Sequence, residues 1–450
     1  MLEKIKKKLH QHPFLKNIMV LISGNVLGYA INLLTLPIIS RVFSPMEMGE
    51  YDLILSSGRF VMDVISLGLL IAIMLPKSDK DAKLICKLIL ILNIGSLVSL
   101  LFIFGGISKQ YHLFDTSISY GTALLLLALY IFTYNMQNLF YSYTNRMKLY
   151  RVLFWNPLLL SISNVGVSLI LGVLGFGTAG YLGGTIVSYI ICILHMRRKV
   201  NPFSEKITFH DCKKILIHYK EIVTVQLPAN IISQVGNEIP TQYLGRVFGA
   251  AMLGGYSMAI KILSIPVSLL SVPVNRVVYQ TMAEKANKKE PVGDFVFGIL
   301  EKNIKLALLP VGLLIVLGEK IIPWILGQAW APAGEYIAIL GIMYLLKFCS
   351  ACVSGTFVVM KYQKLSLWMS FINLAKFGIC FGWAYMMNYG VLYTIVIYAI
   401  IECLYQFLNL MLCVYCTKYS MKKFVWFSLK YIIGGNALIY ALYYVIHFII

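Results

Sequence analysis

Thirteen long apolar runs, separated by short polar breaks, make up most of the chain. They cover residues 17–40, 51–75, 84–106, 118–141, 152–174, 178–196, 221–244, 251–279, 298–318, 334–360, 366–387, 391–416 and 424–449. Most reach the ~20 residues with which a helix crosses a ~30 Å hydrocarbon layer. The pattern predicts an all-α polytopic membrane protein with thirteen spans. Composition agrees. Of 450 residues, 59% are hydrophobic and 13% charged, with a mean hydropathy of +0.77. A soluble domain carries about 25% charged residues. One oversized soluble core is excluded, because such cores stop growing near ~250–300 residues.

The polar breaks give the orientation. Net charge is +20, from 39 Lys and Arg against 19 Asp and Glu. On a soluble protein that would point to nucleic acid; here the basic residues sit between apolar blocks, so no nucleic-acid partner is implied. One set of alternating breaks comprises the N-terminus, "PKSDKDAK", "NRMKLYR", the 197–220 segment, "AEKANKKEP", "KYQK" and "TKYSMKK". With the adjoining helix ends it holds 30 Lys or Arg; the other set holds four, Arg41, Lys109, Arg246 and Lys320. The positive-inside rule places the first set, and the N-terminus, in the cytoplasm. These loops also suit anionic lipid headgroups. The basic start "MLEKIKKKLHQHPFLK" resembles a signal peptide. The apolar run after it is too long for one and lacks a small-residue cleavage site, so it reads as a retained first helix.

Other chemistry is sparse. The CxxC pairs Cys349/Cys352 and Cys413/Cys416 lie inside long apolar runs, which reads as buried thiols rather than a metal site. No phosphate loop "GxxxxGK[ST]" and no "HExxH" occurs, so ATP hydrolysis through a P-loop is excluded. No loop exceeds about 25 residues, which leaves no room for a soluble catalytic domain.

One segment occurs twice. "RVFSPMEMGEY" at 41–51 returns as "RVFGAAMLGGY" at 246–256, an offset of 205. Upstream, Asn25 aligns with Asn230 and Asn32 with Asn237, so seven of 27 positions are identical, where chance gives about two. Six spans per half is an even number, so both halves insert alike. Parallel repeats are a known transporter architecture with the substrate site at the repeat interface. Gly49 and Gly254 are expected to permit tight turns. Tyr51 and Tyr256 are expected at the headgroup level. Arg41 and Arg246 mark the outer mouth, or simply anchor it there.

Polar residues inside the spans supply the candidate site. Ser23, Asn25, Asn32 and Thr35 lie in span 1. Asn230, Ser233, Asn237 and Thr241 lie in span 7, spaced to share one helix face. Such a stripe either hydrogen-bonds between helices or lines a wet cavity. Pro37, Pro228, Pro240, Pro266 and Pro273 are expected to kink spans 1, 7 and 8. Five basic residues lie within spans, Arg59, Lys261, Arg276, Lys347 and Lys376, with three acids, Asp63, Glu238 and Glu402. Each charge at the bilayer centre costs about 2.5–3.5 kcal/mol. Arg59 and Asp63, four apart, can satisfy each other; Glu402 can take Lys347 or Lys376. Five cations against three acids leave two, and an unpaired basic lining suits an anion such as a pyrophosphate or an acidic sugar.

"GNVLGYAINLLTLPIISRVFSPMEMGEYDLILS" resembles the opening of bacterial polysaccharide-unit flippases, the Wzx-like members of the multidrug/oligosaccharidyl-lipid/polysaccharide (MOP) exporter superfamily. The resemblance rests on Gly24-Asn25, Pro37, Arg41, Pro45 and Gly49/Tyr51, with "LPKSDKDA" and "GGYSMAIKILSIP" in support. It implies two parallel six-helix lobes, residues 1–200 and 221–416, joined by a cytoplasmic linker at 201–220, with one added helix at 417–450. It implies a bacterial inner-membrane transporter, not an enzyme. The activity would be alternating-access flipping of an undecaprenyl-diphosphate-linked sugar unit, for O-antigen, capsule or exopolysaccharide. Arg59, Lys261, Arg276, Lys347, Lys376 and the four paired asparagines are the candidate substrate contacts. Asp63, Glu238 and Glu402 are the candidate carriers of a coupling H+ or Na+. Membrane lipids and other polysaccharide-assembly proteins are the expected partners. A peptidoglycan-precursor flippase, a small-molecule exporter of the same superfamily, and a polytopic polymerase or glycosyltransferase are the alternatives.

Overall fold

The computed structural model describes residues 13–107, 116–267 and 271–449, and among them there is helix and no strand. Six long helices open the chain: α1 Pro13–Val42, α2 Pro45–Ile65, α3 Asp79–Ile107, α4 Tyr120–Arg146, α5 Tyr150–Val173 and α6 Gly177–Arg197. A short helix, α7 Phe209–His218, follows. Then come α8 Leu227–Phe248, α9 Ala250–Pro266, α10 Val272–Asn287, α11 Gly293–Leu326, α12 Ala331–Cys352, α13 Gln363–Met386, α14 Val391–Cys416, α15 Met421–Phe427 and α16 Gly434–Ile449. Every expected span has a helix. Ten segments are long and apolar enough to cross a membrane; α2, α8 and α9–α10 are not among them. The reason is composition and breakage. Glu47, Glu50, Asp52, Arg59 and Asp63 lie on α2, and span 8 is divided between two shorter helices.

The doubled segment is the same local structure twice. α2 starts at Pro45 and α9 at Ala250, the sequence offset of 205. The turns, however, are not made by Gly49 and Gly254, which lie inside α2 and α9. They are made by Ser44 and Gly249. Ser44 caps α2 through a reciprocal capping box with Glu47, and Pro45 fills the first helical turn; such a cap contributes ~1 kcal/mol. Gly249 solves the same problem with φ 87°, a backbone open to glycine.

The chain forms two compact units, Met1–Arg246 and Val247–Ile450. In the first, α2 and α3 pack on α4, α4 on α6, α5 on α6, and α1 on α5. In the second, α9 and α11 pack on α12, α12 on α14, and α13 on α14. All of these pairings but that of α1 with α5 thus recur in the second unit. In lipid these contacts depend on close backbone approach rather than on water exclusion. At Gly24 an added Cβ would stand 2.6 Å from the Phe154 carbonyl oxygen, so α1 can meet α5 only with no side chain there. Ser161 then donates to the Gly28 carbonyl, 3.1 Å. Gly184 of α6 lies similarly tight against the Ser168 backbone, 2.8 Å to its nitrogen.

Residues 201–220 are not a bare linker. Thr208 and Asp211 form a second capping box that starts α7. Ile215 turns inward onto the cluster of Leu69, Ile85 and Met196, while Phe209 and Ile217 remain exposed. The four cysteines of the CxxC pairs are buried in the core of the second unit, as expected of small apolar thiols.

Candidate functional site

The first unit buries its charge around α2. Arg59 directs Nη1 at both oxygens of Glu238 on α8, at 3.0 and 3.2 Å. Tyr130 of α4 lies beside the same guanidinium, and the Tyr134 and Tyr189 rings lie tilted or edge-on around it. One turn along α8, Gln242 donates to the Ser57 hydroxyl, 2.9 Å, and to the Leu53 carbonyl. Span 7 is therefore tied by side chains to span 2, and it belongs to the first compact unit. The expected Arg59–Asp63 pair does not form. Glu238 wins because its side chain is only 7% exposed, where a charge pair is little screened, whereas Asp63 is half-buried. Arg59 keeps 34% of its side chain exposed.

Two acids that sequence reasoning left out of the charge count lie on the same helix. Glu50 is wholly buried, accepting from the Ser117 amide and hydroxyl at 2.6 and 2.7 Å and from Thr178 at 2.5 Å. Asp52 is buried one turn-half away. Glu50 is held by hydroxyl and amide donors rather than by a cation, and the candidate charges form the ion pairs Arg59–Glu238 and Lys376–Glu402. The signal was "GEY" at 49–51, which places an acid at the start of the helix where the second copy, "GGY" at 254–256, has glycine.

The Tyr51 ring is turned into the protein rather than outward. It is buried against Tyr181 of α6, ring centroids 4.2 Å apart, and its hydroxyl meets that of Thr185 at 2.9 Å. Its repeat partner Tyr256 is buried too, beside the buried Tyr398 of α14, the helix that corresponds to α6. Each ring lies well inside its helix, where packing on the sixth helix of the set outweighs an interfacial position.

The second unit holds a buried ion pair, Lys376 of α13 with Glu402 of α14. Gln406 donates to the same carboxylate, 2.8 Å. The Tyr405 ring centroid lies 3.9 Å from the Lys376 ammonium and that of Phe377 4.8 Å. Lys347 of α12 lies half-buried over Tyr344, 5.4 Å to the centroid. Of the two partners open to Glu402, the structure takes Lys376.

The remaining candidates are dispersed. Asn25, Asn32 and Asn237 are exposed and Asn230 half-buried; no interhelical hydrogen bond involves them among the described residues. Lys261 is half-buried on α9. Arg41 is exposed at the end of α1, and Arg246 is exposed at the end of α8, donating to Gln242 at 3.0 Å. The side chains of Arg276, Pro266 and Pro273, and the whole of Lys109, lie outside the described residues.

A family model described as polysaccharide biosynthesis protein matches residues 38–335, from the end of α1 into α12. The chain belongs to the polysaccharide biosynthesis protein family. The chain is also similar to the teichuronic acid biosynthesis protein TuaB of Bacillus subtilis, 29% identical over 125 residues. That match covers 27% of this chain and a quarter of the relative's length. Among solved structures, the lipid II flippase MurJ in an inward closed conformation superposes with a TM-score of 0.69 at 16% identity, over 97% of both chains. An inward-facing multidrug resistance transporter of the MATE family gives 0.58 at 15% identity, over 90% of this chain and 96% of the other. This family member thus has the MOP-superfamily fold, an all-helical membrane architecture used by transporters.

Proposed function

We propose that the protein flips an undecaprenyl-diphosphate-linked oligosaccharide from the cytoplasmic to the outer leaflet of the bacterial inner membrane, acting as a transporter and not as an enzyme. The observation that carries the reading is the set of exposed asparagines on membrane helices α1 and α8. A primary amide facing lipid is costly, and these make no interhelical bonds that would excuse them. Water and a sugar headgroup supply the missing partners. Arg59, a third exposed beside Glu238, and Lys347, set in an aromatic surround, offer cationic contacts to a diphosphate. Asp63, which makes no ion pair among the described residues while Glu238 and Glu402 do, is the candidate carrier of a coupling proton or Na+. The N-terminus lies in the cytoplasm on this reading, as the loop charges require.

The test is transport in proteoliposomes of a fluorescent polyprenyl-diphosphate oligosaccharide. Wild-type protein exposes the label to an external quencher. Asn32→Ala combined with Lys347→Ala slows the rate ~tenfold or more, the scale of one lost hydrogen bond to a charged group. Undiminished transport by the folded double variant refutes the reading. A second reading, a peptidoglycan-precursor flippase, is favoured by the MurJ likeness and shares the diphosphate. The same assay with a muropeptide headgroup separates the two.

A further inference from the structure

Six non-glycine residues among those described have positive φ, and four are lysines: Lys148 (56°), Lys289 (58°), Lys361 (64°) and Lys418 (59°). Each ends a helix. Lys289 and Lys361 do so with the hydrogen-bond pattern that closes a helix through a left-handed residue, Glu290 N–H to Lys285 C=O at 2.9 Å and Tyr362 N–H to Phe357 C=O at 2.8 Å. Glycine is the residue this position favours, and the chain does use it elsewhere. Gly175 after α5 has φ 84°, with Phe176 N–H bonded to Leu171 C=O; Asn388 after α13 plays the same part. The difference follows the side of the membrane. The ends of α5 and α13 fall on the side poor in charge, and the four lysines fall on the basic side. Leu67 (50°), which closes α2 on the same basic side with Gly68 N–H bonded to Asp63 C=O, shows that the backbone there does not itself demand lysine.

In the second unit two of these lysines meet at one cavity. It has a volume of ≈560 Å3 and lies where the α10–α11 turn meets the end of α14 and the start of α15. Lys289, Lys418 and Lys423 line it, with the hydroxyl residue Ser420. α11 begins there without a side-chain cap, so the amides of Gly293 and Asp294 at its first turn are uncapped. Two acids also line it. Glu290 is occupied by Lys285, 2.9 Å away; Asp294 is exposed. Gly293 packs so closely that a Cβ would lie 3.0 Å from that of Tyr419, which keeps the floor at backbone level.

We propose that this cavity binds a phosphate-bearing anion at the membrane surface, either the headgroup of an anionic phospholipid or free phosphate. Lysines act as mobile point charges towards phosphate, and a left-handed cap projects each one away from its own helix. The site is separate from the transport reading and is tested without transport.

The experiment uses full-length protein in detergent and follows its thermal unfolding midpoint. Phosphatidylglycerol, phosphatidylcholine and inorganic phosphate are titrated separately. Lys289→Gly with Lys418→Gly removes both charges while keeping the backbone that glycine favours; Lys148→Gly, far along the chain in the other unit, is the control. The expected result is a rise in midpoint with phosphatidylglycerol or phosphate, an apparent affinity at least tenfold weaker in the double variant, and an unchanged affinity in the control. A lipid shift that persists in saturating inorganic phosphate assigns the site to lipid, and one abolished by it assigns the site to the free anion. Equal affinity in wild type and double variant overturns the proposal, as does equal binding of phosphatidylcholine.

Discussion

Replacing Lys376 by Ala should unfold the second unit far more readily than removing the charges of Lys376 and Glu402 together. The two side chains are 6% and 3% exposed. At an effective dielectric of ~20 such a pair gains about 4 kcal/mol of Coulomb energy, offset by the cost of taking both ions out of water. Net stabilisation is therefore small, but the orphaned partner is expensive. Breaking a buried pair costs roughly 3–5 kcal/mol, whereas apolar replacement of both partners is often neutral. In a unit of about 200 residues that is a fall of ~6–20 °C in Tm for Lys376→Ala. Lys376→Met with Glu402→Gln should recover most of it, since Gln406 and Tyr405 keep a neutral partner. Thermal unfolding of the four proteins of the cycle, in detergent at neutral pH, measures the coupling. Equal losses in the single and double variants would refute the reasoning, because the pair would then be worth its own gain rather than guarding against an unpaired charge.

Gly184→Ala should destabilise the first unit by about 1–3 kcal/mol, since the new methyl group strikes the Ser168 backbone; chemical denaturation reads this, and Gly183→Ala, which meets one flexible Leu171 methyl, is the milder comparison. Lys148→Gly should raise stability by ~1 kcal/mol by releasing the left-handed backbone, read as a higher Tm. The Thr208 hydrogen bonds hold the Asp211 carboxyl below its ordinary range. Its contribution to α7 is present above the unfolded carboxyl's pKa and is lost as pH falls through the lowered folded value. Amide protection factors in residues 209–218, taken relative to the intrinsic exchange rate at each pH, should fall at acid pH, and Asp211→Asn should remove that pH dependence.

Much of the architecture was legible. The run at 391–416 is α14 to the residue, because uninterrupted apolar sequence bounded by Gly390 and Thr417 leaves the backbone no alternative in lipid. α7 was missed as a helix since "FHDCKKILIH" is short and charged; Thr208 with Asp211 three places on was the available sign. Pairings were less readable. Spacing of four made Asp63 the local choice for Arg59, but the partner lies 179 residues away, and no local pattern reports such a distance. Glu50 and Asp52 were passed over at the start of span 2, because only the approach of Ser117 and Thr178 makes that start an interior. Tyr51 was taken for an interfacial ring for the same reason: depth along a helix is visible in sequence, whereas a neighbour's face is not.

The Arg59–Glu238 bond has a bearing on the chain's ancestry. At the repeat offset Glu238 corresponds to Leu33 of α1, an exposed apolar residue. A polypeptide made of the first copy alone, or a symmetric dimer of it, would hold the arginine and offer it leucine. The carboxylate stands in one copy and not in the other, so the two halves are not exchangeable at that position. A tandem gene in which the first copy is simply repeated should accordingly fail to yield a folded protein unless Leu33→Glu is introduced into its second copy.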